Sequence, residues 1–231
     1  MSATSASAER LTTAPTSSEA ALLAAARQLG GRTLAEVAAD TGFGPIAPSH
    51  KGAVGMLVER ALGADGGARP GPDFSALGIE LKTLPIDAHG RPAESTFVCS
   101  VPRRAELDWA GSSVRAKLAR VLWVPVQTHV PVPRRVIGSA FLWSPPPALE
   151  EILRDDWYKL TDLLAAGDER ISARHGVALQ LRPKARDASV RFRGADGEGA
   201  PLLCAPKAFY LRRVVTQALL EQVGLFQPRP Q

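Results

Sequence analysis

Three residues whose types could do hydrolytic chemistry together fall in one short stretch, Pro72-Asp73-Phe74-Ser75-Ala76-Leu77-Gly78-Ile79-Glu80-Leu81-Lys82. Leu77 to Leu84 alternates as a strand does. Side chains two apart on a strand share a face, so Glu80 and Lys82 project together and Ile79 and Leu81 project oppositely. Asp73 sits in the turn that feeds this strand and can reach back to the same end. Two carboxylates and one ammonium then converge on one spot. Hard oxygen donors of this kind suit Mg²⁺. A lysine beside the ion can polarise an attacking water and offset charge on a phosphoryl-transfer transition state. A solvent-exposed strand face bearing a Glu/Lys pair would use the same residues.

Asp followed by Glu-x-Lys is also the arrangement of metal-dependent nucleases of the PD-(D/E)xK class. Glu59 adds a third acid: its helical neighbours are Met56, Leu62, Gly55 and Gly63, an apolar or small face on which a carboxylate needs a partner. A metal site or Lys82 could supply it, and so could solvent at the helix end. Other chemistries find little support. His50, His89, His129 and His175 have no ligand spacing with each other or with a cysteine, which argues against zinc. There is no Ser/His/Asp signature, Walker loop or dinucleotide fingerprint. Cys99 and Cys204 are too few for a disulfide framework or a cysteine metal cage.

The elements that must position these residues begin after a Ser-, Thr- and Ala-rich start. Residues 1–17 read as a disordered tail. Leu22, Leu23, Ala26 and Leu29 make a helical stripe ended by Gly30-Gly31, and Thr33-Leu34-Ala35-Glu36 is a capping box opening a second helix. A third helix is predicted over 51–62, with Gly63 behind it. Strands are predicted over 77–84, 96–101, 121–126, 136–143 and 177–181, and helices over 148–164 and 214–225. Trp109, Trp123, Trp143 and Trp157 lie in apolar patterns and are expected in the core. Helices, then mostly consecutive strands, then mixed elements describe a mixed α/β protein with a central sheet, not a βαβ alternation.

The chain has 231 residues, 45% apolar and 22% charged, which fits a globular protein and excludes a collagen, a coiled coil or a disordered polyelectrolyte. No apolar run approaches the roughly 20 residues of a membrane span. With no leader pattern at the start, the expected compartment is the cytoplasm. The net charge of +5 is mild, but its placement is not even. Between residues 182 and 213 lie eight Lys or Arg against three Asp or Glu, and 8 − 3 = +5 is the whole surplus. A local basic excess suits a phosphate-rich partner, and equally a solvated basic face. Arg182, at the end of a predicted strand, could lie bidentate on a guanine edge in a major groove. Lys207-Ala208-Phe209-Tyr210-Leu211-Arg212-Arg213 mixes aromatic and basic residues as nucleic-acid surfaces do, although Phe209 and Leu211 could equally face the core.

Taken together, several motifs resemble the MutH family of mismatch-repair endonucleases, relatives of GATC-cutting restriction enzymes. They are Lys51-Gly52 through Glu59, Asp73-Phe74-x-Ala76-Leu77-Gly78-Ile79-Glu80-Leu81-Lys82-Thr83, Gly90-Arg91-Pro92 and Thr96-Phe97-Val98-Cys99. The resemblance continues in Val114-Arg115-x-Lys117-Leu118-x-Arg120-Val121-Leu122-Trp123, Leu142-Trp143-Ser144-Pro145 and Ile171-x-Ala173-Arg174-His175-Gly176. It ends in Arg182-Pro183-Lys184-Ala185 and Phe209-Tyr210-Leu211, and so covers about residues 20 to 225.

The resemblance implies a restriction-endonuclease-like α/β core in a single domain over 18–231, with a catalytic lobe over about 18–145 and a DNA-reading lobe over about 146–231, clamping DNA between them. It implies that Asp73, Glu80 and Glu59 bind the metal and that Lys82 is the catalytic lysine. The metal would be Mg²⁺, with Mn²⁺ able to substitute. Lys51 would lie near the scissile phosphate and Phe97 close to the site. Arg182 and Pro183 would read GATC in the major groove with Lys184 beside them, and Tyr210 would sense the adenine methyl group. The implied reaction is a nick 5′ to the G of the unmethylated strand of hemimethylated GATC in double-stranded DNA. The implied partners are MutL as activator and MutS upstream. One copy of the triad suits a monomer that cuts one strand. The rivals are a stand-alone restriction endonuclease, which needs two active sites, and a non-catalytic DNA-binding protein of the same fold, in which the triad should be broken. Residues 186–206 depart most from the family pattern, which leaves open the path of the DNA loop there.

Overall fold

A computed structural model describes residues 18–47, 52–67, 71–102, 105–166, 174–183, 192–195, 201–204 and 207–224. The helices are α1 (Glu19–Gln28), α2 (Leu34–Thr41), α3 (Ala53–Leu62), α4 (Ser113–Leu118), α5 (Pro147–Ala165) and α6 (Arg213–Gln222). The strands are β1 (Glu80–Ile86), β2 (Thr96–Ser100), β3 (Val121–Gln127), β4 (Phe141–Trp143), β5 (Leu179–Pro183), β6 (Phe192–Ala195), β7 (Pro201–Cys204) and β8 (Lys207–Leu211). The result is a mixed α/β fold, as the sequence predicts. Its strands divide among a sheet ordered β1-β3-β4, a sheet ordered β2-β8-β5 and a β6-β7 hairpin. In the first, β1 and β3 are parallel and β4 is antiparallel to β3. The second is antiparallel throughout.

Local signals account for most boundaries. Ser18 caps α1 by accepting from the Ala21 N–H. Thr33 and Glu36 form the reciprocal capping box at α2. Proline at the first position of α5 gives up no intrahelical bond. Three expectations shift. The strand predicted from Leu77 begins at Glu80, because Gly78 turns through a left-handed φ of +66° and residues 75–78 form a turn. The strand predicted over 136–143 shrinks to β4, with single bridges at Val136 and Ile137. At the break, Gly138 lies so close to Pro125 that a Cβ there would meet it at 3.0 Å. β5 starts two residues later than predicted, because the amides of Val177 and Ala178 bond the Asp156 carboxylate in α5 instead of a strand.

β1 and β3 lie between two hydrophobic clusters. Ile79, Leu81, Leu122, Val124 and Val126 pack with α1, α2 and α3 through Leu22, Leu34 and Leu57. Leu84, Val121 and Trp123 face the other way, toward α5, α6 and the second sheet through Trp157, Leu219 and Phe209. All four tryptophans are buried, as expected. The period-two alternation of β1 thus gives each cluster one face of the strand, and Glu80 and Lys82 fall on the Leu84 face. Among the described residues, no helix is long and apolar enough to cross a membrane.

Candidate active site

Glu80 opens β1, its amide bonded to the Arg120 carbonyl at 2.9 Å. Glu80 is 5% exposed and Lys82 7% exposed, so the pair is interior and not a solvated strand face. The Lys82 ammonium donates to Glu80 Oε1 at 3.2 Å and to the Val98 carbonyl of β2 at 3.5 Å. A second ammonium, Lys117 of α4, donates to Glu80 Oε2 at 2.8 Å and to the Gly71 carbonyl. Both oxygens of one buried carboxylate are therefore engaged by lysines. Burial without a counter-charge would be costly, and the two ammoniums supply one.

Asp73 reaches this end of β1 from the preceding turn, its Oδ2 accepting the Leu81 N–H at 2.8 Å. The turn is braced from behind. The amides of Asp65 and Gly66 both donate to the Asp73 carbonyl, at 3.0 and 2.9 Å. The Asp65 carboxylate accepts the Ser75 amide at 2.8 Å and the Ser75 hydroxyl at 2.5 Å. Gly66 approaches so closely that a Cβ there would stand 2.7 Å from the Pro72 carbonyl oxygen and 2.8 Å from the Asp73 Cα. Only glycine fits that contact.

Glu59, in α3, faces the same cluster. Burial pushes its carboxyl up, and the negative charges of Asp73 and Glu80 push it further, against the pull of Lys117 and Lys82. The Glu80 carboxyl is also raised, by burial first, against Lys82 and Lys117. Three acids and two lysines thus share one electrostatic environment. Among the described residues, no group of three or more His, Cys, Asp or Glu is already arranged as a metal cage. The donor chemistry nonetheless fits a hard divalent cation: carboxylate oxygens, partly buried, whose mutual repulsion a cation would relieve. Such an ion would take over from the lysines at Glu80.

The structure brings together the predicted acids and Lys82. It also brings together Phe97, Tyr210 and Arg182 on the β2-β8-β5 sheet, where Phe97 pairs with Tyr210 across β2 and β8. Their rings meet edge to face with centroids 5.6 Å apart. The Arg182 guanidinium lies over the Tyr210 ring, 5.6 Å from its centroid. Phe97 is 43% exposed, a large ring on the surface next to a cationic side chain. Arg182 and Pro183 are exposed at the end of β5. Lys51 and Lys184 lie outside the described residues. The sequence reading gave Lys117 no role. Its only local signal was a basic residue in the Arg115-x-Lys117 run, 37 positions from Glu80.

Comparison with known proteins reaches the segment that carries most of this cluster. The family described as "DNA mismatch repair enzyme MutH" matches residues 62–156, a span that includes Asp73, Glu80, Lys82 and Lys117. The "DNA mismatch repair protein MutH" of Salmonella newport is 48% identical over 222 residues, covering 92% of this chain and 95% of that protein. The protein of the same name from Salmonella typhimurium matches with the same identity and coverage. With close to half of the residues identical over nearly the full length of both chains, the chain belongs to the MutH family of DNA mismatch repair enzymes.

Proposed function

We propose that this chain is a Mg²⁺-dependent endonuclease of mismatch repair that nicks the unmethylated strand of hemimethylated GATC sites. The observation that carries the reading is the buried Glu80–Lys82 pair, with Asp73 and Glu59 around it. A merely structural Glu/Lys pair has no need of two further acids beside it, and the charges of Asp73 and Glu80 both push the Glu59 carboxyl up. In the reaction, Asp73, Glu80 and Glu59 would hold Mg²⁺, and Mn²⁺ could replace it. Bound there, the ion would supply Lewis-acid stabilisation of charge on the scissile phosphate. Lys82 would present its ammonium where the phosphate gains negative charge. The Leu81 amide fixes the Asp73 carboxylate, so this ligand is oriented before substrate arrives. Lys51 is assigned to the DNA backbone next to the site.

Recognition is assigned to the β2-β8-β5 sheet. Arg182 offers a planar fork for a guanine edge, Pro183 and Lys184 follow it, and Tyr210 stands beside it to meet the adenine methyl group. Phe97 lines the approach from β2. The sheet gathers residues from both the 18–145 and the 146–231 segments, the first assigned to catalysis and the second to reading DNA. The partners proposed are double-stranded DNA, MutL as activator and MutS upstream, with the protein acting as a monomer in the cytoplasm. The products would be a 5′-phosphate and a 3′-hydroxyl.

The test is circular DNA with one GATC, hemimethylated or methylated on both strands, incubated with Mg²⁺ and the protein. Nicked circles from the hemimethylated DNA alone are expected. Linear product would instead favour a restriction endonuclease. No product, even with MutL and ATP, would favour a non-catalytic DNA-binding protein. Asp73→Ala should abolish nicking while leaving duplex binding in place, and a variant that still nicks would remove the proposed metal site.

A further inference from the structure

The apolar stripe of α5 contains one acid. Leu153, Trp157 and Leu160 are buried in the core, and Asp156 sits among them, 5% exposed. No Lys, Arg or His within 4 Å forms an ion pair with it among the described residues. Its carboxylate instead accepts three consecutive backbone amides: Val177 at 2.9 Å on Oδ1, and Ala178 at 2.6 Å and Leu179 at 2.8 Å on Oδ2. The backbone is shaped for this contact. A Cβ at Gly176 would lie 2.0 Å from the Leu179 carbonyl oxygen and 3.1 Å from the Asp156 carboxyl carbon. From the other side, the Arg212 amide donates to the Ala178 carbonyl at 2.8 Å and its guanidinium to the Gly176 carbonyl.

These bonds converge where β5 begins. β5 pairs with β8 alone among the described strands, so one of its edges has no neighbouring strand to fix its register. Its outer end carries Arg182, three residues beyond Leu179 and so about 10 Å along the strand. Register on a half-buried strand is set by its apolar pattern and by its ends. Here Leu179 and Leu181 supply the pattern, and Asp156 with Arg212 supplies the fixed end.

We infer that Asp156 is a positioning residue for DNA reading: by holding the first amides of β5, it sets where Arg182 stands against Tyr210 and hence against a base edge. This rests on the proposal that Arg182 reads bases. A role in general stability alone predicts a different outcome, so the two can be separated. In the full chain without DNA, Asp156→Ala should speed amide exchange at Val177, Ala178 and Leu179 by about tenfold or more while β3 amides keep their protection. With Ca²⁺ in place of Mg²⁺, the preference for a GATC duplex over a duplex with one altered base should fall by about tenfold, approaching that of Arg182→Ala. Asp156→Asn keeps one oxygen acceptor and should lie between. Unchanged exchange in Asp156→Ala would overturn the anchor. Equal loss of affinity for both duplexes, or wild-type preference in Asp156→Ala while Arg182→Ala loses it, would overturn the positioning role. Wild-type preference in Arg182→Ala would overturn the base-reading assignment and the specificity role built on it, while exchange would still report the anchor.

Discussion

Lys117 offers the sharpest test of the proposed metal site, because it should compete with the metal. It holds Glu80 Oε2 at 2.8 Å, and Lys82 holds Oε1 at 3.2 Å. A cation ligated by Glu80 has to displace at least one ammonium. A hydrogen bond to a charged group is worth about 1.5–3 kcal/mol net. Because the Lys117 side chain is 23% exposed and the Glu80 carboxylate keeps a second partner, about 1–2 kcal/mol is the share to assign. Lys117→Met removes that share from the metal-free protein. In EDTA the variant should lose about 1–2 kcal/mol, or about 2–8 °C in Tm for a chain of this size. In Mn²⁺ the sign reverses: the competitor is gone, and affinity should tighten about 5- to 30-fold, since about 1.4 kcal/mol is tenfold. Denaturant melts in EDTA measure the first effect, and Mn²⁺ titration followed by electron paramagnetic resonance at pH 8 measures the second. Tighter metal binding in a less stable protein is an unusual combination. Unchanged or weaker Mn²⁺ affinity would refute the idea that Lys117 and the metal share Glu80.

Further predictions concern the other members of the cluster. Gly66→Ala must displace the Asp73 turn, because its Cβ would stand 2.7 Å from the Pro72 carbonyl oxygen. Overpacking of this kind costs about 1–3 kcal/mol, and nicking should fall much further than stability does; wild-type turnover would refute the brace. The carboxyls of Glu59 and Glu80 are both raised above their ordinary 4.5. The folded protein then holds more protons than the unfolded chain, so their contribution to stability is full below about pH 4.5 and is lost as pH rises through the folded values. Mg²⁺ held by these carboxylates would offset that loss only when they are ionised, so its stabilising effect should grow with pH in melts from pH 5 to 8; a pH-independent effect would contradict this. The Cys99 thiol is pushed up to about 12, chiefly by burial. In a Cys204→Ala background, reaction with a thiol reagent at pH 8 should be slow until the protein is unfolded, and fast labelling of the folded form would show the thiolate to be accessible.

What could be read from the sequence was local. Asp73, Glu80 and Lys82 are close in the chain, and a two-residue period fixes their common face before any tertiary contact is known. The Thr33–Glu36 box is likewise complete within four residues. Long-range pairings left weaker traces. Lys117 reaches Glu80 over 37 positions, and Asp156 reaches the Val177 amide over 21. β2 meets β8 across nearly half the chain, a register no period reveals. Asp156 did leave a signal, an acid on the stripe of Leu153, Trp157 and Leu160, where a charge needs partners. The strand start was misplaced because apolar alternation continues through Leu77 and Ile79, whereas the left-handed φ at Gly78 decides the backbone.

The place where chemistry and recognition meet is a single irregularity in β2. The β2-β8 ladder pairs Phe97 with Tyr210 and then Cys99 with Phe209, so its register shifts at Val98. A bulge leaves the extra residue outside the ladder. Here the Val98 carbonyl accepts the Lys82 ammonium, while the Val98 side chain stays in the core. The preceding residue, Phe97, points outward against Tyr210, which lies under Arg182. One peptide unit therefore separates a contact of the lysine assigned to phosphate chemistry from the aromatic pair assigned to DNA. A duplex that moves Phe97 or Tyr210 must strain the same bulge that holds Lys82. Regular pairing in place of the bulge would redirect the Val98 carbonyl and take one of the two acceptors from the buried ammonium. On these contacts, the aromatic pair assigned to DNA and the lysine assigned to phosphate chemistry are mechanically linked through β2.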